Sequence, residues 1–206
     1  MLTAKDEDAR ETAAQTICVA SFRFAEAEED LQIVLAGDEI CRAGLASFAA
    51  ENLQFQAASE KCRSWITQAL SDTSKRVRDA ASRCFHAISD EQLCNERQLI
   101  EAFIDSPSFH DNAQTLLFAL DKAAHQMPDI VCKIPEKAVA IYRAKDAAAA
   151  METQWWTQQM ANLVLRLYDQ TRDPEIRKRC LDVLDSMIEL DFGDVTNELA
   201  KLDRGY

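Results

Sequence analysis

Glycine and proline are scarce in this chain, four of each in 206 residues. An all-β protein of this length closes its many hairpins with such residues, so their scarcity excludes that class and leaves helices. The four glycines (Gly37, Gly44, Gly193 and Gly205) are also too scattered for a phosphate-cradling loop or a nucleophile elbow. Nucleotide hydrolysis is therefore not expected. No run of about 18 apolar residues occurs, so no membrane span is expected. The start, Met1-Leu-Thr-Ala-Lys-Asp-Glu-Asp8, turns acidic at once, unlike a signal or transit peptide. Histidine is rare as well. His86, His110 and His125 stand far apart, whereas a zinc site wants ligands at short spacing. No C-x-x-C links the seven cysteines, whose odd number and wide spacing suit small buried thiols in a reducing compartment. With so many cysteines, some Cys–His proximity arises by chance and does not make a catalytic pair. The expectation is an intracellular, cytoplasmic protein with no catalytic residue, no cofactor and no metal.

What is abundant is acid. The formal net charge is −12. Between Met1 and Glu39 ten acids face only Lys5, Arg10 and Arg23. A surface for duplex DNA needs Lys and Arg to displace counterions, so nucleic acid is an unfavoured partner. Within the acidic stretch, Glu26, Glu28, Glu29 and Asp30 cluster. Acids at the start of a helix suit its dipole, and the sharper reading is a docking surface for a basic protein partner.

Helical periodicity covers nearly the whole chain. Ala13, Ala14, Ile17 and Cys18 share one face, and Cys62, Trp65, Ile66 and Leu70 another. The pattern predicts about eleven helices: 10–21, 26–35, 38–50, 54–70, 72–88 capped by Asp72, 91–104, 108–124, 135–151, 153–168, 174–190 and a short one after Asp194. Pro128 and Pro135 bracket a predicted loop, and Gly193 a helix end. The patch Ala147 to Ala150 suits close helix approach. Trp155 and Trp156, adjacent on a helix, point about 100° apart. They cannot share one seam, so one is a core residue and the other a candidate partner-binding anchor. The C-terminal basic residues Arg166, Arg172, Arg177, Lys178 and Arg179 alternate with acids and read as a salt-bridged surface.

Three segments share a motif. Each has an Asp four to six residues before an Arg, then a small residue three after it and a large apolar one seven after it. They are Asp6-Arg10-Ala13-Ile17, Asp72-Arg78-Ala81-Phe85 and Asp173-Arg177-Cys180-Leu184. The arginines are 68 and 99 residues apart, near multiples of 33 to 34. Asp38 to Leu45 fills one intervening unit. Asp105 to Leu117 fills another, with His110 in the Arg position. A unit around Arg143 does not match, so the stretch near 126–152 is expected to be irregular.

The motif resembles the second helix of HEAT repeats. The resemblance implies an antiparallel helix-pair α-solenoid over residues 1–206 as a single domain, a superhelix in which each pair covers the apolar face of the next. It also implies a ladder of Asp and Arg through Asp6, Arg10, Asp38, Arg42, Asp72, Arg78, Asp105, Asp173 and Arg177. A repeat-like helix begins within a few residues of Met1 and the chain stops soon after a strong repeat, as in a domain cut from a longer protein. The function implied is a non-enzymatic protein–protein interaction or scaffold module, the sensor or scaffold arm of a larger protein. The alternative is a HEAT-like DNA-binding protein of the type that removes alkylated bases. That activity would want a basic concave face with aromatics and an acid.

Overall fold

Short polar caps start the helices. Asp6 accepts the N–H of Asp8 at 3.0 Å and opens α1 (Glu7–Ser21). Asp38 accepts the N–H groups of Ile40 and Cys41 at 3.1 and 3.0 Å and opens α3 (Glu39–Asn52). Asp173 does the same for α12 (Pro174–Glu189), which has Pro174 in its first turn. A computed structural model describes residues 1–55, 59–144, 154–191, 195, 196, 199 and 200. Every regular element among them is helical. The remaining α-helices are α2 (Ala27–Leu35), α4 (Ser59–Ala69), α5 (Lys75–Ser82), α6 (Cys84–Ala87), α7 (Asp90–Asn95), α8 (Arg97–Asp105), α9 (Pro107–Ala123), α10 (Pro128–Ala144) and α11 (Gln154–Gln170). A 3₁₀ turn, Ala124–Gln126, precedes α10. The chain divides into two compact units, Met1–Thr115 and Leu116–Tyr206.

In the first unit α3 is the central helix, packed by α1, α2, α4, α5 and α6. Its sequence explains this position. Ile40, Cys41, Ala43, Gly44, Leu45, Ala46, Ser47, Ala49 and Ala50 are all buried, so the helix is apolar or small nearly all round. Gly44 permits the closest approach. A Cβ there would lie 2.9 Å from the backbone oxygen of Glu11 in α1. Farther along the unit, Phe85, Phe103 and Phe109 stack edge to face at 4.9 and 6.0 Å. In the second unit α10, α11 and α12 pack on one another, and the 3₁₀ turn closes against α10 and α11. Ile130, Ile134, Met160, Val164, Leu167, Val183, Leu184 and Met187 fill that core.

Side-chain pairs tie successive helices of the first unit. Arg10 in α1 pairs with Asp38. Arg42 in α3 donates to both oxygens of Asp72 at 2.7 and 3.1 Å. Arg78 in α5 reaches Asp111 at 2.5 and 3.1 Å. The third acceptor differs from the expected Asp105. Asp111, six residues on and inside α9, takes its place, and the His110 ring nitrogen Nδ1 lies 3.3 Å from the other oxygen. Asp6 only caps α1. Arg177 takes no ladder position either: its guanidinium lies over the Tyr168 ring, 4.4 Å from the centroid.

Several boundaries differ from the sequence expectation. Asp72 does not cap α5. Ser74 occupies that position, while Asp72 accepts the Ser74 N–H at 2.8 Å and serves Arg42. Residues 91–104 form two helices, α7 and α8, because Glu96 leaves helical geometry (φ −96°, ψ 29°) with its carboxylate held by Arg63. α9 is bent at Asn112 (φ −137°, ψ 21°), whose side chain donates to Asp79 at 2.9 Å. The expected loop between Pro128 and Pro135 is helix, and α10 runs through Pro135 to Ala144. A proline inside a helix costs about 3 kcal/mol. Burying one large aliphatic side chain returns roughly 1.5–3 kcal/mol, and α10 buries Ile130, Val131, Ile134 and Val139 besides Pro135. Burial therefore outweighs the missing hydrogen bond. The patch Ala147 to Ala150, the Gly193 helix end and the Asp194 cap lie outside the described residues.

Candidate functional site

The acidic cluster sits at the corner between α1 and α2. α1 ends at Ser21, and the N–H groups of Phe22, Arg23 and Phe24 fold back onto the carbonyls of Val19 and Ala20. This tight exit turns the chain, and α2 begins at Ala27 with Glu28, Glu29 and Asp30 in its first turn. Only Ala27 is buried here. Glu26, Glu28, Glu29 and Asp30 are all exposed, as periodicity requires when Ala27, Leu31 and Val34 supply the inner face.

An aromatic group forms the floor of this corner. Phe22 packs against Phe48 of α3 at 6.0 Å and, edge-on, against Trp65 of α4 at 5.7 Å between ring centroids. Trp65 is buried, while Phe22 keeps 36% of its surface and Phe24 keeps 59%. The Lys61 ammonium lies 5.5 Å from the Phe22 ring centre and 5.3 Å from that of Trp65. It also donates to Glu28 at 2.8 Å and to the Ser21 hydroxyl at 3.3 Å. Lys61 is thus committed to Glu28, and no ion pair among the described residues engages Glu26, Glu29 or Asp30. Asp30 additionally borders an apolar cleft of about 370 Å³ formed with Leu2, Thr12, Ala13, Thr16 and Ile17. The corner thus offers three carboxylates outside any ion pair among the described residues, beside two exposed phenylalanines.

The acids stand out in the sequence by composition, whereas Phe22 and Phe24 give a weaker signal. The available signal was two phenylalanines two residues apart just where the α1 periodicity stops. Of the two tryptophans, Trp156 in the second unit is buried, at 8% exposure. The Trp155 side chain lies outside the described residues.

Nine of the described arginines are engaged by carboxylates. Arg42, Arg63, Arg78 and Arg179 each hold a carboxylate with two hydrogen bonds, and Arg10, Arg76, Arg97, Arg143 and Arg166 are in single pairs or networks. In the C-terminal region the acceptors are Asp121 for Arg166 and Glu136 for Arg179, not the interspersed acids nearest in sequence. Burial pushes the Cys18 thiol up to about 12 and that of Cys62 up to about 11, the reverse of what a nucleophile needs. Among the described residues no three His, Cys, Asp or Glu side chains converge as a metal site, and no helix is long and apolar enough to cross a membrane.

No protein-family model, no curated protein and no solved structure matches this chain.

Proposed function

We propose that this chain is a non-enzymatic, HEAT-like α-solenoid scaffold that binds a protein partner through the α1–α2 corner. Four side-chain pairs that share one sequence interval support the repeat reading, although Arg10–Asp38 and Arg42–Asp72 are 28 and 30 residues apart. Lys61 with Glu28, Arg63 with Glu96, Arg78 with Asp111 and Asn112 with Asp79 are each 33 residues apart. A repeated helix pair places equivalent positions side by side at one period. The period in the pairing agrees with the motif spacing of 33 to 34.

The observation that carries the binding reading is the meeting of unpaired carboxylates with exposed aromatic rings. A partner segment with Lys or Arg flanking an apolar side chain fits it: the ring surface supplies the anchor, and the acids steer and orient. The DNA-directed alternative loses support because the net charge is −12 and, of the C-terminal basic group, Arg166 and Arg179 are engaged by Asp121 and Glu136. The cytoplasm is the compartment proposed.

The test is affinity capture from lysate of the source cell with the wild-type chain and a Glu26→Lys/Glu29→Lys/Asp30→Lys variant. The recovered protein is then titrated directly at two salt concentrations. The expected result is a protein held by the wild type, lost by the variant and weakened by salt. Equal recovery by both chains, or recovery of nucleic acid, would overturn the assignment.

A further inference from the structure

All but one of the seven thiols are buried. Two of these stand in contact. Cys132 of α10 and Cys180 of α12 are fully enclosed, and their sulfurs are 3.8 Å apart. A disulfide bond is about 2.05 Å long, so closure needs an approach of roughly 1.8 Å, within the reach of side-chain rotation and a small helix shift. The setting is also chemical. Arg179, next to Cys180, is clamped on Glu136, one turn from Cys132, by hydrogen bonds of 2.6 and 2.7 Å. A cleft of about 280 Å³ between the same two helices is lined by Glu136 and Arg179, the pair that flanks the two cysteines in sequence.

We propose that Cys132 and Cys180 form a reversible thiol–disulfide couple, oxidised by hydrogen peroxide, whose disulfide joins α10 to α12. Cys180 reacts first. The hydrogen bond from the Cys132 thiol and the charge of Arg179 hold it below the usual thiol range, against the opposing effect of burial. The Cys180 sulfur attacks one peroxide oxygen and releases its proton. The O–O bond breaks, leaving a sulfenic acid and a hydroxide that takes up the released proton. The Cys132 sulfur then attacks the Cys180 sulfur. The S–S bond forms, and the sulfenic hydroxyl leaves as water with the Cys132 proton. Two thiols lose two electrons in all, and one peroxide becomes two waters.

The experiment uses the full chain, fully reduced, treated with hydrogen peroxide under native conditions. Remaining thiols are then alkylated in denaturant and the peptides mapped by mass spectrometry. The expected product is a cross-linked Cys132–Cys180 peptide pair, lighter by two hydrogens and restored by dithiothreitol. The oxidised chain is expected to melt at a higher temperature than the reduced one, with the difference erased by dithiothreitol. Cys180→Ser should give no cross-link. If that variant does not fold, the wild-type peptide map decides alone. Recovery of Cys132 and Cys180 as alkylated thiols, or their separate oxidation without a cross-link, overturns the proposal.

Discussion

Arg42 grips Asp72 with two parallel hydrogen bonds and also donates to the Gly37 carbonyl at 2.6 Å, so one guanidinium joins the loop before α3 to the loop before α5. Asp72 is mostly covered. Burial pushes its carboxyl up, but the bonds from Arg42 and the Ser74 N–H, with the charges of Arg42 and Arg78, leave it below the ordinary range. Asp111 is lowered too, with burial again opposed by Arg78 and His110. A carboxyl whose folded pKa lies below its unfolded value, about 3.9, stabilises the fold above that pH and loses the contribution as pH falls through the folded value. Arg42→Ala is therefore expected to cost about 1–3 kcal/mol at pH 7. It should also flatten the fall in stability below about pH 4. Urea denaturation of both proteins at neutral and acid pH checks both; an unchanged acid slope in the variant would remove Asp72 from the explanation.

Arg63 and Glu96 present the harder electrostatic case. The Glu96 carboxylate is 9% exposed and receives two bonds, at 2.5 and 2.6 Å, at the break between α7 and α8. Removing the cation strands a covered charge, whereas Glu96→Gln keeps a hydrogen-bond acceptor and removes the charge. Arg63→Ala is expected to destabilise by about 3 kcal/mol, near the lower limit for a broken buried pair because Arg63 is one-third exposed. Glu96→Gln should cost less. Equal losses in denaturant titrations would show that packing, not charge, sets the effect.

Helical content was legible because local rules govern it. Apolar periodicity places helix faces, and the acids Asp6, Asp38 and Asp173 mark the capped starts of α1, α3 and α12. Asp38 shows how far that goes, capping α3 and also receiving Arg10. What was not legible depends on partners distant in sequence. Arg78 pairs with Asp111 rather than Asp105 through a contact made in three dimensions, not along the sequence. Pro135 stays helical because the surrounding core holds α10 together. Glu96 breaks a helix for an arginine 33 residues away. At the candidate site the acids announce themselves by composition, while Phe22 gains meaning only once Trp65, Phe48 and Lys61 gather around it.

Gly44 is expected to resist replacement even though alanine is the better helix former by about 1 kcal/mol. Its added Cβ would meet the Glu11 backbone oxygen at 2.9 Å and the Glu11 Cα at 3.2 Å. Backbone cannot rotate aside as a side chain can, so α1 and α3 must separate. Gly44→Ala should lower stability by about 1–3 kcal/mol, the usual range for overpacking. Thermal melts and denaturant titrations read this directly; a gain in stability would show that the two helices slide apart without loss.

Thiol reactivity should separate Cys94 from the rest. Its Sγ donates to the Asp90 carbonyl at 3.3 Å on the partly exposed face of α7, whereas the other six cysteines are buried. Burial raises Cys18 to about 12, so at pH 8 its thiolate fraction is on the order of one in ten thousand. Cys180 is held low but is fully enclosed, and a bulky aromatic disulfide reagent does not reach it as small peroxide would. The native chain is thus expected to give one fast equivalent with such a reagent, and the remaining thiols should react only as fast as their helices open. Cys94→Ser should abolish the fast phase and leave the slow one unchanged. A fast phase that survives this substitution would mean that one of the enclosed cysteines opens to solvent far more readily than its packing implies, and peptide mapping of the labelled site would show which helix gives way.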